Sequence, residues 1–279
     1  MEHWEMLIKN YRARALTQSK DRIMAFAGIA QAVQRSSQLS YTAGAWKEAF
    51  PFSLTWHVVF SQWDITAPAV RETVTAVAPS WSWFSLPIFS RHELDFVPND
   101  ILRRHLRFSE KNSIETMFEA SLLCTDGVPL SANTFHDFTG LDLHFSTKTG
   151  SMSPGTPGEK YRQSKTIESE FKRHLGTQPS RFTFYRDRPK EAIDWADATV
   201  ALLFEARYGH ETGFSRSYGD RILIGLVMMR EPGGAAYRRT GLWTLNVEHH
   251  PAGWKSNGLK LVSIFDQLHG VFSESISLV

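Results

Sequence analysis

Apolar residues in the first part of the chain recur with the period of a helix. Trp4, Leu7, Ile8 and Tyr11 fall at i, i+3, i+4 and i+7, while Glu5, Lys9 and Arg12 fall on a second face expected to be solvated. After a polar break at Thr17-Gln18-Ser19, the residues Ile23, Phe26, Ala27, Ala30 and Val33 repeat the spacing. Thr17 or Ser19 is the expected cap, and Asp21 suits the positive end of the helix dipole. Gly28 costs this second helix about 1 kcal/mol against alanine, so it is expected where a neighbouring helix approaches closely. A third helix is expected over Ser40 to Phe50, with Tyr41, Ala45, Trp46 and Ala49 on one face and Pro51 ending or kinking it. The run from Leu54 to Phe60 is compatible with a short helix or a strand.

Beyond residue 60 the period shortens to two. Pro79-Ser80-Trp81-Ser82-Trp83-Phe84-Ser85 sets two indoles at strand spacing, so Trp81 to Leu86 is expected as a strand with both rings on one face, nucleating a core. Strands are also expected at His92 to Val97, Leu141 to Phe145, Ala198 to Ala206, Arg221 to Met229 and Leu259 to Phe265. Ser113 to Cys124 alternates only loosely. Glu231-Pro232-Gly233-Gly234 is a turn that sends Ala236 to Trp243 back as a hairpin partner. Helices first and strands afterwards make an α+β chain. A helical segment, residues 1–60, is expected to pack on a mainly antiparallel, β-rich portion, residues 61–279, with a long flexible loop near 146–170. That loop is rich in Ser, Thr, Gly and Pro and lacks the apolar residues that offset ordering entropy.

Five of these stretches, in order, resemble the region that follows the HET domain in fungal heterokaryon-incompatibility proteins. The first is the Trp-led helix from Trp4 to Tyr11, continuing through Arg14, Leu16 and Thr17. The second is Asp21 to Ala30, with its Ala27-Gly28-Ile29-Ala30, and the third is Tyr41-Thr42-Ala43-Gly44-Ala45-Trp46, followed by Leu54 and Trp56. The fourth is Ala78 to Trp83, and the fifth is Tyr237-Arg238-Arg239-Thr240-Gly241. The resemblance implies an accessory or interaction region of a nonself-recognition, cell-death signalling protein, without enzymatic activity of its own. It also implies that the HET domain, which precedes the Trp-led helix in that family, is missing from a chain that starts at Met1. None of that domain's functional residues carries over.

Composition narrows the chemistry further. The chain has 279 residues and a formal charge of +2, too balanced for the concentrated basic face of a nucleic-acid binder. Nine Trp and 19 Phe argue for a folded, aromatic-rich body. The start is acidic and amphipathic, unlike a signal peptide, and no apolar run is long enough to span a membrane, so a cytoplasmic location is expected. Cys124 reads as a small buried hydrophobe rather than a reactive thiol. His249-His250 reads as a polar loop, since neighbours on a strand face opposite ways and no carboxylate pair completes a metal set. Gly209-His210-Glu211 and His136-Asp137 read as turns. The Arg103-Arg104-His105-Leu106-Arg107 cluster and the mixed run Arg186-Asp187-Arg188-Pro189-Lys190-Glu191 read as solvated surface, and Trp195 as core. No nucleophile elbow and no phosphate-binding glycine loop occurs. The chain therefore offers no catalytic, cofactor-binding or metal-ligating residues, and its expected partner is a protein or an upstream signalling domain. The alternative is an enzyme of unfamiliar type, with a pocket in the β-rich half where His136, His210, Glu211, His249 or His250 converge.

Overall fold

The computed structural model describes residues 2–14, 19–59, 78–86, 93–96, 113–116, 119–124, 141–147, 149–151, 181–188, 193, 198–207, 221–247 and 274–279. The fold is α+β: two N-terminal helices, and a curled half-barrel of mostly antiparallel strands in the C-terminal part. Helix α1 (Glu2–Arg12) buries Trp4, Ile8 and Tyr11, and Leu7 borders that stripe. Helix α2 (Ser19–Ser37) buries Ile23, Phe26, Ala27 and Ala30. Gly28 does not serve close packing. It lies on the exposed side of α2, and a Cβ there would meet nothing within 4 Å.

The expected third helix is a hairpin. Strands β1 (Tyr41–Thr42) and β2 (Ala45–Trp46) pair antiparallel, with Tyr41 opposite Trp46. Ala43 and Gly44 between them have φ of 42° and 88°. Two successive left-handed residues make the two-residue turn whose twist matches a hairpin. The apparent helical face was a cross-strand pair. Short 3₁₀ turns at Lys47–Ala49 and Phe52–Leu54 lead into β3 (Trp56–Val59), which settles the ambiguous run as a strand.

Trp81 to Leu86 is not a strand. It turns, then forms a 3₁₀ helix at Trp83–Ser85 capped by Ser82, whose Oγ accepts the Phe84 N–H at 3.1 Å and donates to the Ala43 carbonyl at 2.6 Å. The two indoles are buried, as expected of a core pair, yet they diverge: Trp83 stacks on Phe84 with centroids 3.8 Å apart, whereas Trp81 meets Phe50 edge-on. Strand β4 (Glu93–Phe96) pairs antiparallel with β3 and lies against α1. The second face of α1 is therefore partly covered rather than solvated: Lys9 forms an ion pair with Asp95, Glu5 is buried and Arg12 is half-buried.

The main sheet contains β5 (Ser113–Thr116), β6 (Glu119–Cys124), β7 (Leu141–Thr147), β8 (Thr149–Ser151), β9 (Arg181–Arg186), β10 (Ala198–Arg207), β11 (Arg221–Arg230), β12 (Tyr237–Val247) and β13 (Glu274–Leu278). Strands β10, β11 and β12 form an antiparallel meander, with the expected turn after Arg230. Strands β5 and β8 lie end to end along the other edge of β10, opposite residues 204–207 and 199–201. The hairpin β6–β7 departs between them, level with the register shift of β10 between Leu202 and Phe204. Strand β13 pairs with β7 and reaches the start of β12 through Tyr237 and Leu278, while β9 pairs along the rest of that β12 edge. This curls the sheet. The loop expected from residue 146 thus begins inside the sheet, since β7 continues to Thr147 and Thr149–Ser151 is paired; residues 152–170 and Leu259 to Phe265 lie outside the described residues. No helix among the described residues is long and apolar enough to cross a membrane.

One aromatic core joins these layers. Phe26 of α2 takes Trp4, Tyr11 and Trp83 edge-on at 5.1, 4.9 and 5.2 Å between centroids. Two indole N–H groups, from Trp4 at 3.3 Å and Trp83 at 3.1 Å, donate to the single carbonyl of Gly44. A Cβ on Gly44 would lie 2.3 Å from Trp83 Nε1. Gly44→Ala therefore combines overpacking with a left-handed φ and is expected to cost about 3–5 kcal/mol. Trp83→Ala is expected to cost a similar ~3–5 kcal/mol through the cavity it leaves. Urea unfolding followed by tryptophan fluorescence measures both, and midpoints near that of the parent chain would contradict this account of the core.

Candidate functional site

The densest gathering of polar chemistry among the described residues lies where the 3₁₀ segments, β3 and β12 meet. Arg239 is on β12, beside a register shift that places Thr240 as the extra residue; the Thr240 hydroxyl donates to the Val227 carbonyl at 3.0 Å. The bulge lets a charged side chain turn inward from a central strand. Arg239 is 2% exposed. Its Nε donates to Asp187 Oδ2 at 2.9 Å and its Nη2 to Oδ1 at 3.2 Å, a two-pronged pair. Nη1 donates to the Leu54 carbonyl at 2.7 Å, and Nη2 also donates to the Trp56 carbonyl. The guanidinium lies over the Trp56 ring, 3.4 Å from its centroid. Burial pulls the Arg239 pKa down and the Asp187 carboxylate opposes that pull. With four of its N–H groups committed within the protein, this guanidinium is a clamp rather than a ligand-binding group.

The run Arg186-Asp187-Arg188 is thus not all solvated surface. Asp187 is buried, its N–H donates to the Thr240 carbonyl at 3.0 Å, and Arg188 reaches the Ser85 carbonyl at 3.4 Å. Ser80 completes the junction. Its hydroxyl accepts the Arg239 N–H at 2.9 Å and donates to the Val279 carbonyl, and the Val279 N–H donates to the Tyr237 carbonyl at 3.0 Å. Gly241 makes room beside them, since a Cβ there would lie 2.4 Å from the Tyr185 carbonyl. A second buried arginine plays the same part under α2. Arg22 donates to the Leu86 carbonyl at 3.0 Å and to the Phe84 carbonyl, and its own carbonyl accepts the Tyr11 hydroxyl at 2.7 Å.

Beside the clamp sits His57, 5% exposed, with its ring 4.0 Å from that of Tyr185. Asp95 is its cross-strand neighbour. Burial pushes the His57 pKa down to about 4, Asp95 and a hydrogen bond with the Thr55 backbone pull it upward, and Arg239 and Lys9 add to the depression. The imidazole is therefore neutral at pH 7. Burial and the Asp95 charge push the Tyr185 hydroxyl up, against hydrogen bonds with Thr183 and Thr244. The cluster holds a neutral base against a neutral phenol without a hydrogen bond between them, and the neighbouring carboxylate is in an ion pair with Lys9.

Among the described residues no group of three or more His, Cys, Asp or Glu is placed to hold a metal ion. His136, His210, Glu211, His249, His250, the Arg103 to Arg107 cluster and Trp195 lie outside the described residues. Of Cys124 only the backbone is described, paired with Leu141 at the end of β6. Sequence reasoning missed Arg239, Asp187 and His57. The available signal was an arginine inside an apolar returning strand, a position that charged residues occupy only when paired. No family model, curated protein or solved structure matches the chain.

Two measurements probe this region. Asp187→Ala strands the Arg239 charge in the core and is expected to cost about 3–5 kcal/mol, whereas Asp187→Leu with Arg239→Met is expected to cost less than the sum of the single changes. Urea unfolding reads both. The unfolded chain binds a proton at His57 near pH 6.5, and the folded chain only near pH 4. Stability from this group is full above the unfolded pKa and falls as pH drops toward 4, by about 2–3 kcal/mol. His57→Phe is expected to flatten the slope of unfolding free energy against pH in that window, and an unchanged slope would contradict the burial of a neutral imidazole.

Proposed function

We propose that this chain is a non-enzymatic framework region of a fungal heterokaryon-incompatibility protein, acting in the cytoplasm as a platform for a cell-death signalling domain. The observation that carries this reading is the convergence of the five resembling stretches on one connected core. Trp4 and Tyr11 from the first meet Phe26 from the second. Gly44 from the third accepts the indoles of the first and fourth. Ser80 from the fourth receives the N–H of Arg239 from the fifth. Stretches spread from Trp4 to Gly241 but joined by packing and hydrogen bonds are what a fold-defining pattern requires. A catalytic pattern would instead leave polar groups directed at an open site.

The reading is tested by fusing the chain behind a HET domain, inducing the fusion in a filamentous fungus and counting surviving colonies at matched protein levels. The expected result is that the chain alone leaves survival unchanged, while the intact fusion and the Gly44→Ala fusion differ in killing by an order of magnitude. Equal killing by the isolated HET domain, the intact fusion and the Gly44→Ala fusion would overturn it.

A further inference from the structure

The outer face of α2 carries a pattern that the core does not explain. Taking Gly28 as the centre and turning about 100° per residue, Asp21, Met24, Ala25, Ala32 and Arg35 all fall within about 60° of it. This side lies opposite the buried Phe26 and Ala30. All six positions are exposed, and Met24, at 60%, is the most exposed large apolar side chain among the described residues. Asp21 and Arg35 stand at equal distances from Gly28, seven residues to either side, and form no ion pair among the described residues. A segment with one charge at each end and a glycine midway is complementary to itself when reversed.

We propose that this face is a self-docking surface, on which a second copy of the chain packs its own α2 antiparallel across Gly28. A two-fold axis through the glycines sets each position beside its mirror position: Asp21 faces Arg35 of the other copy, and Met24 faces Ala32. Both charge pairs form at once, because a two-fold interface repeats every contact. Parallel pairing would set Asp21 against Asp21 and Arg35 against Arg35. The absence of a side chain at Gly28 brings the helix axes close, and the open space around it means that this closeness is not used among the described residues. This accounts for a glycine that costs the helix stability and relieves no internal contact. A single helix face buries less than the ~800 Å² per partner of a standard interface, so the dimer is weak and concentration-dependent. It does not depend on the family reading above.

Sedimentation equilibrium of the full chain, from about 1 to 300 µM at low salt, tests the proposal. A reversible monomer–dimer equilibrium is expected. Asp21→Arg alone and Arg35→Asp alone are each expected to weaken it by about tenfold, since like charges then face each other. An equimolar mixture of these two variants is expected to restore dimers, because each copy then supplies what the other lacks. Gly28→Trp is expected to block association while leaving the thermal unfolding of the monomer near that of the parent. A chain that stays monomeric throughout, a dimer indifferent to the charge reversals and to Gly28→Trp, or failure of the mixture to recover would each overturn the proposal.

Discussion

The Gly44 carbonyl is the point on which the N-terminal architecture turns. One oxygen with two lone pairs accepts two buried indole N–H groups, one from α1 and one from the Trp83 segment. Each indole brings a large apolar ring that is costly to bury without a partner for its nitrogen. The arrangement demands a backbone turn that exposes its carbonyl and carries no Cβ on the approach side. Ala43 and Gly44 supply this through successive positive φ values, and the strain at Ala43 is held in place because Ser82 bonds its carbonyl. Remove the turn, and α1, α2 and the 3₁₀ segment lose their common anchor.

Arg239 performs the corresponding task between the helical layer and the sheet. It gathers the Leu54 and Trp56 carbonyls, the Asp187 carboxylate and the Trp56 ring around one buried cation. Such a group is weak evidence for net stability, because desolvation offsets much of the attraction. Its geometric effect is larger. The Leu54 carbonyl, at the end of a 3₁₀ turn, and the Trp56 carbonyl, at the start of β3, are buried acceptors that need donors, and a planar guanidinium with several fixed donors defines where they must sit. The bulge at Thr240 and the missing Cβ at Gly241 are local accommodations to that cation.

The long periodic elements were legible in the sequence, and the tight ones were not. Helices α1 and α2, strands β10 and β11 and the turn that returns β12 against β11 follow from spacing and turn residues alone, because each is long enough for its local pattern to show. Tyr41 to Trp46 and Trp81 to Leu86 were misread for a shared reason. The two are joined by side-chain donors, Ser82 and Trp83, that reach the Ala43 and Gly44 carbonyls across 39 positions, and no local period encodes that. Asp187 was read as surface because its neighbours are cationic; its true partner is 52 residues away. Glu5 and Arg12 looked solvated because nothing in the first helix announces that β4 will lie over it.

The junction around Ser80 and Arg239 also governs the order in which the molecule can be completed. The Leu54 carbonyl waits for a guanidinium 185 positions downstream, and Ser80 for a carbonyl 199 positions downstream. At about 5–20 residues per second, a ribosome delivers Arg239 roughly 10–40 s after Leu54. The nascent helices and the double-indole turn must pass that interval with one flank uncovered, within reach of chaperones. Assembly of this chain is accordingly a late, high-contact-order event, closed from its far end rather than built outward from its beginning.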